Sequence, residues 1–74
     1  MYVGDPIELV VGEIRLAGRL VRILDRRGFE VRRVDLDAPE PYTLVVVDLL
    51  DGRRVSVPLW VDDFPIRLVS SLAA

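Results

Sequence analysis

The chain has 74 residues, a formal net charge of −2, and neither cysteine nor histidine. That length allows one domain, residues 1–74. The missing side chains exclude a disulfide frame, zinc sites of the usual kind, and Cys–His or Ser–His nucleophile pairs. Lysine, asparagine and glutamine are absent too, so no Schiff-base lysine and no phosphate-loop lysine is available.

Asp5 to Gly28 reads as one long amphipathic helix. Asp5 is placed as the N-cap, Pro6 as the first helical residue, and Glu8 completes a capping-box spacing. Arg26 and Arg27 set positive charge against the negative end of the dipole. Gly28 closes the helix, with Phe29 folding back on Leu24. Ile7, Val10, Ile14, Ala17, Val21 and Leu24 recur by steps of three and four and form one seam, widened by Leu20. Gly12 and Gly18 are its weak points, each costing about 1 kcal/mol against alanine. The competing reading makes Ile7 to Val11 a strand and starts the helix near Gly12.

On the opposite face Arg15, Arg19, Arg22 and Arg26 line up at spacings of four, three and four. Such a stripe suits phosphate or an acidic partner, with Arg32 and Arg33 nearby. The plainer reading is a solvated face whose arginines pair with acids elsewhere in the chain.

Phe29 to Leu36 reads as a strand whose apolar phase changes near Arg32–Arg33, as at a bulge. Asp37 to Pro41 is a loop, because Pro39 and Pro41 cannot both serve a ladder. Tyr42 to Leu50 and Arg53 to Val61 form the strongest β signal, joined by Asp51-Gly52. A two-residue turn pairs Val45 with Pro58, Val47 with Ser56, Leu49 with Arg54 and Thr43 with Trp60. Leu44, Val46 and Tyr42 then face Leu59, Val57 and Val61. Pro58 places the second strand at an edge. Asp62-Asp63 caps a final short helix carrying Pro65, Ile66, Leu68, Val69 and Leu72.

The expected fold is therefore α+β, in the order α-β-β-β-α, with a three-stranded antiparallel sheet. Helices cover one side of that sheet. The other side stays apolar, and a second chain covers it or the final helix crosses to it. Hydrophobic content of 51% and mean hydropathy of +0.34 are high for so short a chain. Burial in a lone monomer roughly offsets the cost of ordering it, which points to assembly.

Charge is uneven. Residues 1–33 hold seven arginines against five acids, and residues 34–74 hold three against seven. A dedicated nucleic-acid binder is usually basic overall, so any basic footprint here is local. There is no secretory signal and no apolar run near the ~20 residues of a membrane span, so a cytoplasmic protein is expected. All ten basic residues are arginine, and Asn, Gln and Cys are missing. This suits a protein from a hot environment or a GC-rich genome.

Carboxylates supply the remaining chemistry. Asp35 with Asp37, Asp48 with Asp51, and Asp62 with Asp63 are candidate Mg²⁺ pairs, but such pairs are common in turns and caps, so no metal or other cofactor is expected. The run Leu24-Asp-Arg-Arg-Gly28-Phe29-Glu-Val31 and the strands after it resemble the opening of restriction-endonuclease-like nucleases, archaeal Holliday-junction resolvases among them, loosely over residues 13–61. That family's catalytic strand carries an acid, one residue, then lysine. This chain reads Val55-Ser-Val-Pro-Leu-Trp there, so the activity does not carry over, and Asp48 matches at most an isolated metal-binding aspartate. The α-β-β-β-α order is also similar to double-stranded-RNA-binding domains, without their lysine-rich second-helix start.

A non-enzymatic oligomerisation or interaction module is expected, as a homodimer or with another protein subunit. No small-molecule substrate and no membrane contact is expected. The expected interface is Val45, Val47, Leu49, Pro58 and Trp60, with Trp60 as its hot spot. The alternative is nucleic-acid binding through Arg15, Arg19, Arg22 and Arg26, with Arg32 and Arg33.

Overall fold

The computed structural model describes residues 1–71. Its elements are all strands: β1 (Pro6–Val11), β2 (Ile14–Leu24), β3 (Glu30–Val31), β4 (Leu44–Leu49), β5 (Arg54–Pro58) and β6 (Ile66–Ser70). The sheet runs β5-β4-β2-β1-β6, every pairing antiparallel, and β3 joins β2 beyond the end of β1. It curls into a half-barrel around Ile7, Leu9, Leu20, Ile23, Val45 and Val47, all 0–1% exposed.

The expected α+β fold is overturned, since no helix is present among the described residues. The stretch from Asp5 to Gly28 is instead the hairpin of β1 and β2, with Ile7 opposite Gly18 and Leu9 opposite Leu16. Gly12, at φ +61°, makes its turn. The competing sequence reading placed a strand at Ile7–Val11, and β1 lies there, but β2 replaces the helix that was to follow. Asp5 does not cap forward. Its Oδ2 accepts from Tyr2 N at 2.9 Å. Gly28, at φ +84°, closes the β2–β3 turn rather than a helix. The carboxylate of Asp25 organises that turn, accepting from the backbone N–H groups of Arg27 and Phe29 at 2.9 and 3.0 Å. The Phe29 N–H foremost holds the Asp25 carboxyl below its usual range. The resemblances to helix-first nuclease and RNA-binding domains do not extend to this fold.

The seam read as helical mixes the two faces of the hairpin, and β2 also contains a bulge. Leu20 pairs with Val47, yet Arg22 pairs with Val46, so Val21 is the extra residue. Inward positions run Leu16, Gly18, Leu20 and then Ile23, breaking the period of two. Six β-branched residues between Pro6 and Leu24 (Ile7, Val10, Val11, Ile14, Val21, Ile23) favour strands.

The strand expected over Phe29–Leu36 is reduced to β3 plus an isolated bridge from Arg33 to Tyr2, with a bend at Arg32 between. The final helix is also overturned. Ile66, Leu68 and Val69 lie in β6, with Leu68 opposite Leu9, and Ile66 and Leu68 pack against the core. Leu72 lies outside the described residues.

The β4–β5 hairpin is present one residue out of the expected register. Val45 faces Val57, Val46 faces Ser56 and Val47 faces Val55. The loop is three residues, Leu50-Asp51-Gly52, with Leu49 N donating to Arg53 O at 2.7 Å and Gly52 at φ +93°. This is the three-residue hairpin with a left-handed third position. A one-residue slip exchanges faces, so Val55 and Val57 join Val45, Val47 and Leu49 inside.

The outer face of the sheet is shielded by its own arginines. Val46 is 9% exposed and has Arg22 and Ser56 as cross-strand neighbours; Val10 is 7% exposed between Arg15 and Arg67. Long arginine side chains can cover apolar neighbours with their stems while the guanidinium groups stay in water.

Candidate interaction surface

The expected interface residues divide into two groups. Val45, Val47 and Leu49 are core, at 0%, 0% and 6% exposed. They offer a partner no surface. Pro58 is partly exposed and Trp60 is 44% exposed, both toward the outer side. The hairpin register continues past the named strands, where Tyr42 and Trp60 come together with ring centroids 5.6 Å apart and planes tilted by 58°. Tyr42 is 58% exposed.

The backbone fixes this pair. Thr43 N and Oγ1 both donate to Glu40 O, at 3.3 and 2.8 Å, and Leu59 N donates to Thr43 O at 2.9 Å. Tyr42, between these anchors, takes φ +64° and is the one non-glycine residue at positive φ among those described. A left-handed tyrosine costs about 1–2 kcal/mol, and such strain marks places where function sets the geometry. Sequence reasoning missed Tyr42, and no local signal marks it, because tyrosine gives no hint of a left-handed turn.

The strain yields an inverted mutational order. Alanine at position 42 keeps the strain and loses a ring contact of about 0.5–1.5 kcal/mol. Glycine loses the same contact but relieves the strain. Tyr42→Gly is therefore expected to be more stable than Tyr42→Ala by about 1 kcal/mol. Urea unfolding of the two variants checks it, and equal midpoints would remove the strain argument.

Beside the ring pair, outward positions of three strands form a row. Leu24 pairs with Leu44, and Leu44 with Pro58. All three are partly exposed. Leu24, Leu44, Pro58, Tyr42 and Trp60 thus make an apolar patch at one end of the outer face. Leu50, 83% exposed, stands at the opposite end of the β4–β5 hairpin.

The arginines expected to contact anions are also divided. Arg15, Arg19 and Arg22 stay on one face although the helix is gone, because the bulge at Val21 returns Arg22 to the outer side. Each is engaged. Arg15 approaches Glu8 at 3.8 Å, Arg19 donates to Gly4 O at 2.5 Å, and Arg22 pairs with Glu30 at 2.6 Å. Arg26 stands in the β2–β3 turn, and Arg32 and Arg33 follow β3. None of these three forms an ion pair among the described residues. Arg27 lies over the Phe29 ring, 5.3 Å from its centroid.

Of the candidate carboxylate pairs, Asp48 with Asp51 is taken up by arginines and Asp35 by a backbone N–H, while Asp62 and Asp63 form no ion pair among the described residues. Arg54 donates to both oxygens of Asp48 at 2.6 and 3.0 Å, which holds that carboxyl below its usual range. The backbone N–H and then the side chain of Arg53 do the same for Asp51. Asp35 Oδ1 accepts from Asp37 N at 3.0 Å. No group of three potential metal ligands gathers among the described residues. A cavity of about 640 Å³ lies where Tyr2, Asp5, Arg33 and Asp35 meet Leu68 and Val69 of β6. It is an open cleft of mixed charge. No helix among the described residues is long and apolar enough to cross a membrane. Set against family models, curated proteins and solved structures, the chain matches none.

Proposed function

We propose that the chain is a small non-enzymatic oligomerisation module that docks through the Tyr42–Trp60 end of its outer face. One observation carries this reading. Two aromatic rings are held exposed and in mutual contact by a strained backbone, beside the apolar row of Leu24, Leu44 and Pro58. Folding alone favours burying those rings, and exposed apolar patches with a polar rim mark interaction sites. Aromatic anchors dominate the energetics of such surfaces. The arginine column of β2 supports nucleic-acid contact less well, since Arg15, Arg19 and Arg22 already have partners.

The test is assembly itself. Light scattering across a dilution series is expected to show concentration-dependent association. Trp60→Ala is expected to weaken it by about 2 kcal/mol or more, as for a hot spot. A wild-type chain that stays monomeric, or an association constant unchanged in Trp60→Ala, overturns the assignment.

A further inference from the structure

The apolar patch lies between two regions of opposite charge. On one side, beyond β3, the segment from Arg22 to Arg33 holds Arg22, Arg26, Arg27, Arg32 and Arg33. Its two acids are already committed, Asp25 to the turn backbone and Glu30 to Arg22. Arg26, Arg32 and Arg33 therefore form no ion pair among the described residues, while Arg27 acts on the Asp25 carboxylate and lies over the Phe29 ring. On the other side, residues 59–65 hold Asp62 and Asp63 and no arginine, with Asp62 beside Pro58, whereas Asp35 and Glu40 share a cavity with Arg33 of the basic segment. Arg67 is the one base lining the shallow cavity beneath Leu59 and Asp62.

The order of these regions follows from the ladders. At the end of β2, Leu24 pairs with Glu30 of β3 on one edge and with Leu44 of β4 on the other, and Leu44 pairs with Pro58. Reading across the sheet gives Glu30 beside the basic turn, Leu24, Leu44 and Pro58, with Asp62 beside Pro58 and the aromatic pair just past the Leu44–Pro58 pair along the strands. With strands about 4.8 Å apart, Glu30 to Pro58 spans about 14 Å. A surface that is basic at one end, apolar in the middle and acidic at the other is complementary to itself under a two-fold rotation.

We infer that the occupant of this surface is a second copy of the chain, related by a two-fold axis that passes near Leu24 and Leu44. This rests on the reading of the chain as an assembly module. The β2–β3 turn of each copy, with Arg26 and Arg27 at its tip, seats against Tyr42, Trp60, Asp62 and Asp63 of the other. The contact forms twice. The guanidinium groups meet carboxylates and two exposed aromatic faces, which are cation–π acceptors. The apolar rows meet at the axis. A free cationic peptide would satisfy the acidic end alone. A second copy satisfies both ends at once, which is why the second copy is favoured.

Two charge-reversed variants test this. Arg26→Glu/Arg27→Glu and Asp62→Arg/Asp63→Arg each place like charges across both contacts of their own homodimer. Each is expected to associate at least tenfold more weakly than wild type by light scattering. In a 1:1 mixture both contacts are complementary again, and dimers at wild-type strength are expected. Because rescue requires two folded partners, a misfolded variant cannot imitate it. Failure of the mixture to associate, with wild type still dimeric and still weakened by Trp60→Ala, overturns the two-fold arrangement and leaves the module reading standing. A wild-type chain monomeric at every dilution overturns both.

Discussion

Leu20→Ala is expected to lower the unfolding free energy by about 3–4 kcal/mol, within the range for fully buried leucines cut to alanine. Leu20 is 0% exposed and lies on β2 where the sheet is three strands wide. Val47 of β4 is its partner on one edge, and on the other its N–H donates to Asp5 O at 3.0 Å. Truncation leaves a cavity lined by β-ladders on both sides, and ladders collapse poorly. A domain of this size has a total stability near the low end of 5–15 kcal/mol. The loss corresponds to a melting-temperature fall of about 15 °C or more. Urea titration measures it, and Leu50→Ala is the control. Leu50 is 83% exposed, so its truncation is expected to stay within about 0.5 kcal/mol of wild type. A loss below 1 kcal/mol for Leu20→Ala would mean that the core is looser than its burial implies.

Leu20 also shows why the chain was readable in part. Its burial was legible, since it widened the apolar seam. The seam was assigned the wrong period. Its members alternate between the faces of the hairpin, Ile7 and Ile14 inward and Val10, Ala17 and Leu24 outward, so steps of three and four gathered apolar residues from both faces. Val10 strengthened the illusion. It is buried on the outer face between Arg15 and Arg67, outside the core cluster, so it counted as a core position without joining that cluster. The cap signals were real in chemistry and different in use. Asp5 does accept a backbone N–H group, and Gly28 does adopt positive φ, but in turns beside strands. Asp and Gly serve hairpins and helix ends by the same local physics, and only the partner strand tells them apart.

Of the residues expected at an interface, Pro58 and Trp60 keep exposed surface, and Val45, Val47 and Leu49 are buried. One residue in the hairpin loop decided that. Asp51-Gly52 as a two-residue turn puts these valines opposite Pro58 and Ser56. Leu50-Asp51-Gly52 as a three-residue loop puts them opposite Val57 and Val55, which closes the core. Counting apolar partners favours the second register, because it pairs valine with valine on one face. Arg54 then meets Asp48 on the other. Tyr42 was beyond the reach of such counting. Its exposure follows from hydrogen bonds made by Thr43 and Leu59 with backbone groups of the loop and strand ends.

Gly18→Ala is the second large effect, and its sign is opposite to what the backbone alone would give. Where φ and ψ are ordinary, replacing glycine by alanine usually stabilises by about 0.4–1 kcal/mol through the unfolded chain. Gly18 is not among the glycines at positive φ. A Cβ placed on it, however, would stand 2.6 Å from Asp48 O, 2.9 Å from Val47 Cγ1 and 3.2 Å from Leu49 Cδ2. The nearest of these is backbone, held in the β2–β4 ladder where Gly18 pairs with Leu49. Strand β4 must therefore move as a unit. Overpacking of this kind costs about 1–3 kcal/mol, and the backbone contact places Gly18→Ala at the upper end, near 2–3 kcal/mol. Fluorescence of Trp60, the chain's single tryptophan, follows the thermal transition and also reports on the far end of β4. The variant is expected to melt about 10 °C or more below wild type and to associate more weakly, because β4 carries Leu44 and Tyr42 with it. A variant that melts at or above the wild-type temperature would show that β4 yields to the methyl group. The close approach of β2 and β4, which sets the curl of the half-barrel, would then not be what positions the aromatic pair.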